Sequence, residues 1–147
     1  MLHPLDVFQN HTLLVSAAAW IVAQTLKVLV CLLQERQLDL WRLASAGGMP
    51  SSHSALVSAL ATAVALKDGV RSTTFAIAVV FAAVVMYDAA GIRQAVSIQA
   101  RILNRMLDEY FKHQKFSEER LRELLGHTRI EVFVGSLLGV SIALLWT

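Results

Sequence analysis

Charged residues are scarce in this sequence. Asp, Glu, Lys and Arg make up 16% of the 147 residues, whereas soluble domains usually carry about 25%. The apolar share is 56%, and the mean hydropathy is +0.56. Because the apolar residues also occur in long blocks, the composition indicates an integral membrane protein. We therefore expect membrane lipids as its surroundings and no nucleic acid among its partners.

Cysteine is nearly absent, and basic residues are absent from the N-terminal end. Cys31 is the only cysteine, which excludes an intrachain disulfide and a cysteine-based metal site and favours a buried apolar role. No Lys or Arg precedes the first apolar run, and no small-residue cleavage pattern follows it. We therefore expect no removable signal peptide.

Four apolar runs predict an all-α membrane bundle with about four transmembrane helices. They cover residues 13–33, 54–66, 73–87 and 130–146. The first run is long enough to cross a bilayer core of roughly 30 Å. The second is short for a span, and its Ala and Ser residues predict close packing against neighbouring helices. Since no repeat or linker is present, we predict a single membrane domain over residues 1–147.

The pattern changes after the third run. Over residues 92–111, apolar residues recur every three or four positions among charged ones, which predicts an amphipathic helix. It is either separate from the third run or continuous with it, and it lies on the membrane or packs on a second copy. Ser117 is predicted to cap a short helix over residues 120–125. In the last run, Gly135 and Gly139 have the GxxxG spacing that permits close helix contact, a motif that is weak evidence for a dimer.

The distribution of Lys and Arg predicts the orientation. With four spans, residues 34–51 and 88–129 lie on one side, and they contain ten of the 13 Lys and Arg residues. Positive charge stays inside, so we predict that this side is cytoplasmic, provided that the second run crosses. The basic residues between positions 101 and 129 would then face anionic lipid headgroups.

Two polar segments precede apolar runs and could form a site together. The first is GGMPSSHS at residues 47–54. Its glycines relax the backbone, Pro50 fixes the approach, and Ser51 or Ser52 can cap the helix that follows. A helix start offers unpaired N–H groups and partial positive charge, so the segment is suited to an anion, and its composition suggests phosphate.

The second segment, residues 126–131, contains His127 and Glu131. Four residues apart on a helix, the two side chains can touch. A carboxylate on one ring nitrogen would fix the tautomer and leave the other nitrogen as a base or nucleophile. The alternative is a Glu whose charge stabilises the first helical turn, and for an isolated HxxxE pattern we favour that alternative. His53, considered alone, is more typical of an interfacial histidine.

Three charged residues near the ends of runs complete the candidate set. Lys27 lies inside the first run and either faces a polar interior or extends to the interface. Asp88 and Arg93 follow the third run, where the default interpretation is an interfacial ion pair, and Arg93 is alternatively a phosphate clamp. The four-span topology puts all the candidates at one membrane face.

Several of these segments together resemble the signature of the divergent type 2 phosphatidic acid phosphatase family. They are GGMPSSHS at 47–54, YDAAGIR at 87–93 and GHTRIEV at 126–132, and AQTLK at 23–27 fits the first-span motif. The family consists of small membrane proteins related to acid phosphatases and vanadium haloperoxidases. The likeness covers nearly the whole chain.

The resemblance implies metal-free and cofactor-free hydrolysis of a lipid phosphomonoester or diphosphate, such as phosphatidate or phosphatidylglycerol phosphate. His127 would be the nucleophile that forms a phosphohistidine, Glu131 would orient it, and His53 would protonate the leaving alkoxide. Phosphate-binding residues complete the set. The motifs assign phosphate binding to Lys27, Ser52 and Arg93. We add Ser51 and Asp88 as substrate-binding residues, because the predicted topology puts them at the same membrane face.

The sequence departs from the wider superfamily in three places. Ser52 replaces a glycine, Glu131 replaces an aspartate, and Leu121 stands where an arginine is usual, so Arg93, Arg120 or Arg122 would have to replace that arginine. The usual six-helix core is also shortened, which makes a homodimer a candidate way to close the site. The competing interpretation is a non-catalytic membrane protein that binds a lipid phosphate or a protein partner through an inherited pocket. A lipid transporter is a third, weaker alternative.

Overall fold

The computed structural model describes residues 4–35, 48–110 and 127–146, and all regular structure in these ranges is helical. A short 3-10 helix, Pro4–Gln9, precedes four α-helices. These are α1 (His11–Glu35), α2 (Ser52–Asp68), α3 (Thr73–Tyr110) and α4 (Arg129–Trp146). The all-α prediction is therefore confirmed. The helix predicted over residues 120–125 and its cap Ser117 lie outside the described residues.

Three of the described helices are long and apolar enough to cross a membrane. The candidate spans are His11–Leu33, Thr73–Gly91 and Arg129–Trp146, and they give the chain the character of an integral membrane protein. Helix α2 has 17 residues and is not among them. The predicted total of four spans therefore requires that α2 crosses together with its neighbours, and it stays a prediction.

Helix α2 is the central element of the bundle. It packs against α1, α3 and α4, whereas α3 has few contacts with α4 and, among the described residues, none with α1. Its buried side chains are small, namely Ser52, Ser54, Ala55, Val57, Ser58, Ala59 and Ala63. Small residues allow helix backbones to approach closely, so the expectation of close packing for this run is confirmed.

Helices α2 and α4 run parallel and in register. A Cβ atom added at Gly135 would overlap the carbonyl oxygen of Ser51, and one added at Gly139 would overlap that of Ala55. Because four residues along one helix match four residues along the other, the two helices point the same way. The GxxxG pair is thus used within the chain, and it gives no support to the predicted homodimer, which stays a prediction.

Helix α1 runs in the opposite direction to α2. Early α1 residues such as Val15 and Ala19 share an apolar cluster with late residues of the other helices, including Ala63 and Ala143. The later residue Lys27 instead lies near the start of α2. Together with the parallel pair α2 and α4, this antiparallel arrangement brings the polar segments to one end of the bundle.

Helix α3 is longer than a single span needs. The candidate span ends at Gly91, but the helix continues without a break to Tyr110. The predicted amphipathic segment is therefore a continuation of the third span, and at 1.5 Å per residue it adds roughly 28 Å. Exposed apolar residues, including Ile98, Ile102 and Met106, recur at four-residue intervals along this part of the helix.

Candidate functional site

The GGMPSSHS segment forms the start of α2. Gly48 has a φ of 91°, a conformation that favours glycine, and Ser51 is the N-cap. The Ser51 hydroxyl oxygen accepts the Ser54 N–H at 3.3 Å and the Ser54 hydroxyl at 3.0 Å. Ser51 is fully buried, so its hydroxyl serves first as a cap, and its own O–H proton is the hydrogen-bonding capacity that remains for a ligand.

The starts of α2 and α4 lie side by side. The Ser51 N–H donates to the carbonyl oxygen of Glu131 at 3.0 Å, which joins the two helix ends directly. The first N–H groups of any α-helix lack partners within the helix, and each start carries partial positive charge. Two parallel starts at the same end of the bundle therefore form a region of positive potential that favours an anion.

His127 is buried beside these two helix starts. Its side chain is 3% exposed, and its backbone N–H donates to the Ala89 carbonyl oxygen of α3 at 3.3 Å. Neither ring nitrogen has a hydrogen-bond partner within the described part of the chain. Leaving buried polar atoms unsatisfied is costly, so these two nitrogens are the clearest indication of a ligand in the structure.

The protonation state of His127 follows from its surroundings. Burial lowers the pKa of the imidazole below its ordinary value, and the positive charge of Lys27 and nearby His53 act in the same direction. The Glu131 carboxylate raises the pKa without reversing the net shift. The neutral form is therefore favoured near neutral pH, and it is the form that can use a ring nitrogen as a nucleophile.

The Glu131 carboxylate has two roles at the start of α4. Its Oε2 atom accepts the Thr128 N–H at 2.7 Å, and the Glu131 N–H donates to the Thr128 hydroxyl oxygen at 3.2 Å. This reciprocal pair is a capping box. The same Oε2 lies 3.5 Å from Nδ1 of His127, an electrostatic contact longer than a usual hydrogen bond. The helix-start interpretation of the HxxxE pattern is therefore present, whereas the carboxylate lies close to the imidazole without the hydrogen bond that the other interpretation requires.

Lys27 and His53 also lie near His127. Lys27 is 3% exposed, and a Cβ atom at Gly48 would lie 3.2 Å from its Cγ, so the lysine stem is buried against the glycine rather than extended to solvent. His53 is exposed, and its ring meets that of His127 edge to face with 5.7 Å between centroids. Ser52, the first residue of α2, is also buried.

The predicted residues of α3 are not all brought to the same place. Asp88 is exposed, and no hydrogen bond or ion pair within the described residues joins its side chain to the cluster. Position 93 lies one helical turn beyond Ala89, on the same face of α3, but its side chain lies outside the described residues, as do Arg120, Leu121 and Arg122.

Sequence reasoning missed the roles of two residues in this cluster. Thr128 holds Glu131, and the signal was the T-x-x-E spacing of a capping box directly after His127. Gly48 makes room for Lys27, but nothing in the one-dimensional pattern indicates which side chain packs against a turn glycine.

These features define an all-helical membrane protein with a buried histidine and a buried lysine at paired helix starts. The sequence profile of the Divergent PAP2 family matches residues 8–142. The chain is also 40% identical to the uncharacterized membrane protein YuiD of Bacillus subtilis (strain 168), over 95% of this chain and 96% of the relative. No solved structure matches. The chain belongs to the Divergent PAP2 family, as its motifs predicted.

Proposed function

We propose that the protein is a membrane lipid phosphatase that hydrolyses a lipid phosphomonoester or diphosphate through a phosphohistidine on His127. The observation that supports this proposal most directly is the buried, unsatisfied imidazole of His127, which has a carboxylate 3.5 Å from Nδ1 and two helix starts beside it. Family membership is consistent with the same chemistry.

The first step transfers the phosphoryl group to the protein. With Nδ1 facing Glu131, Nε2 of His127 attacks phosphorus, an N–P bond forms, and the bond from phosphorus to the leaving oxygen breaks. His53 donates a proton to the leaving alkoxide. Having lost this proton, neutral His53 is the base for the second step, and its exposed position beside His127 leaves it accessible to the attacking water.

The second step releases phosphate. A water molecule gives a proton to His53 and attacks phosphorus, and the N–P bond breaks to regenerate neutral His127. Positive charge near the phosphoryl oxygens stabilises both transition states. We assign that stabilisation to Lys27, the N–H groups at the helix starts and the Ser52 hydroxyl, with Arg93 as the proposed partner from α3. The role predicted for Asp88 stays a prediction.

A non-catalytic lipid-phosphate-binding protein is the second candidate. The observation that favours it is the engagement of Glu131 in the capping box, together with a 3.5 Å separation from His127 that exceeds a usual hydrogen bond. In that case the paired helix starts and Lys27 bind a phosphate group without transferring it. The two candidates share a binding site and differ only in turnover.

The location of the site on the cytoplasmic side is part of the proposal, in a cell membrane or an inner organelle membrane. The site lies at the end of the bundle where α1 finishes and α2 begins, and the predicted cytoplasmic segments adjoin that end. Phosphatidate or phosphatidylglycerol phosphate then suits the site better than an exported carrier lipid. Cysteine introduced at Lys67, at the opposite end, should react with a membrane-impermeant maleimide from outside intact cells, and labelling only after permeabilisation would contradict this orientation.

The proposal is tested by phosphate release from the purified protein in detergent, with EDTA present and a panel of lipid phosphates as substrates. We expect His127→Ala and His53→Ala to abolish or strongly reduce release. His11→Ala, which removes an exposed histidine at the opposite end of the bundle, should leave release unchanged. Selective lipid-phosphate binding without release by the folded wild-type protein would favour the second candidate.

A further inference from the structure

The carboxylate of Glu131 is held by the residue next to His127. Its Oε2 accepts the Thr128 N–H at 2.7 Å, and the Thr128 hydroxyl oxygen accepts the Glu131 N–H at 3.2 Å. The same Oε2 lies 3.5 Å from Nδ1 of His127. One carboxylate oxygen therefore connects the helix cap with the imidazole.

A glutamate side chain has several rotatable bonds, and at a helix start beside an aqueous phase it has many alternatives to a contact with histidine. The capping box removes most of that freedom, since both of its hydrogen bonds require one arrangement of Thr128 and Glu131. Glu131 is only partly exposed in this arrangement.

We infer that Thr128 is a positioning residue of the site, which holds the Glu131 carboxylate beside Nδ1 of His127 through the capping box. Nε2 is thereby directed at the ligand. The expected effect of Thr128 on phosphate release rests on the proposed function, whereas its expected effect on the pKa and tautomer of His127 does not.

The same arrangement gives a physical reason for Glu131 where the superfamily resemblance leads one to expect aspartate. The third residue of a helix reaches back to the cap N–H when it is Glu or Gln. Aspartate is one methylene shorter, so it is less able to reach the Thr128 N–H and the imidazole at once. The longer side chain is the one that the capping box requires.

The test compares Thr128→Ala with the conservative Thr128→Ser. A matched control is Ser72→Ala, because Ser72 caps α3 at the opposite end of the bundle by accepting the Phe75 N–H at 3.1 Å. Each alanine variant loses one helix-capping hydroxyl, but only Thr128→Ala affects the cap that holds Glu131.

The first readout is the His127 imidazole itself, followed by NMR in the full-length protein labelled at histidine nitrogens and assigned with His127→Ala. The Glu131 carboxylate raises the pKa of His127, and burial, Lys27 and His53 lower it. Thr128→Ala should therefore lower that pKa further and mix the tautomers, whereas Thr128→Ser and Ser72→Ala should match the wild type. The second readout is phosphate release, which we expect to fall about tenfold or more in Thr128→Ala alone.

Glu131→Gln separates the cap from the charge. Glutamine keeps the capping box but cannot act on His127 as an anion, so the pKa of His127 should fall while the helix stays capped. In the Glu131→Gln background, Thr128→Ala should add no further change to the pKa, since Thr128 acts through the carboxylate.

Three results would overturn the inference. They are an unchanged His127 titration in Thr128→Ala, a failure of Thr128→Ser to restore the wild-type titration, and effects in Thr128→Ala and Ser72→Ala of the same size on both readouts. If the wild-type protein releases no phosphate, the proposed function fails, but the NMR titration still decides whether Thr128 positions Glu131.

Discussion

The contact between α2 and α4 predicts a large difference between two Gly→Ala substitutions of the same chemistry. A Cβ atom at Gly139 would lie 2.9 Å from the carbonyl carbon and 3.0 Å from Cα of Ala55, in addition to overlapping its carbonyl oxygen. All three neighbours are backbone atoms, so no flexible side chain can move aside. At Gly91, in the exposed part of α3, no atom of the described residues lies within 4 Å of an added Cβ.

The magnitudes follow from these distances. Restoring an ordinary carbon–carbon separation of about 3.5–4.0 Å requires the two helices to move apart by roughly 1 Å. Overpacking of this kind costs about 1–3 kcal/mol, against a gain of up to about 1 kcal/mol from replacing glycine inside a helix. Gly139→Ala should therefore lower the free energy of unfolding by about 1–2 kcal/mol, whereas Gly91→Ala should leave it unchanged or raise it slightly.

Thermal unfolding in detergent measures this difference. Cys31 is the only cysteine and is buried, so a thiol-reactive fluorescent dye reports unfolding of the wild type and of both variants. For a chain of this size, each kcal/mol corresponds to a Tm change of roughly 2–4 °C. If Gly139→Ala unfolds at the wild-type temperature, the parallel contact between α2 and α4 is not as close as described and the argument is wrong.

Three further predictions concern the site and the assembly. Gly48→Ala should weaken binding of inorganic phosphate roughly tenfold, because an added Cβ meets the Lys27 stem and the φ of 91° disfavours alanine; Ser72→Ala serves as the control in the same titration calorimetry. Because burial lowers the pKa of His127 in the folded chain, the unfolded chain binds more protons, so stability should fall as pH drops below the ordinary value of about 6.5. This loss should be smaller in His127→Gln, as measured by Tm at pH 7.5 and 5.5. The predicted homodimer should sediment with twice the chain mass in detergent, and a monomer that is active in that detergent would contradict its role in closing the site.

Local signals predicted much of the fold. The apolar runs gave α1 and α4 within a few residues, and Ser51 was one of two expected caps for α2. The sequence indicated less clearly that α3 continues without a break, because Gly91 and the change to an amphipathic pattern are also compatible with a helix boundary.

The sequence pattern did not predict which helices pack against each other. The spacing of Gly135 and Gly139 does not say whether they pack against a helix of the same chain or of a second copy. Only the structure shows that both glycines pack against α2 of the same chain. The same limit applies to Asp88, since periodicity does not say which face of α3 is turned toward the bundle. His127, His53 and Lys27 were predicted as one cluster because their motifs could be placed at a common membrane face, and the structure brings them together.

The parallel pairing of α2 and α4 also determines when the site can form during synthesis. Helix α2 has a serine-rich face that contains Ser54 and Ser58, and its partner α4 is made more than 60 residues later. Until α4 is in place, that face lacks the helix that covers it, and the Ser51 N–H lacks its acceptor on Glu131. The synthesis of α4 therefore completes both the core of the bundle and the proposed binding site, so that a chain which inserts without α4 has neither.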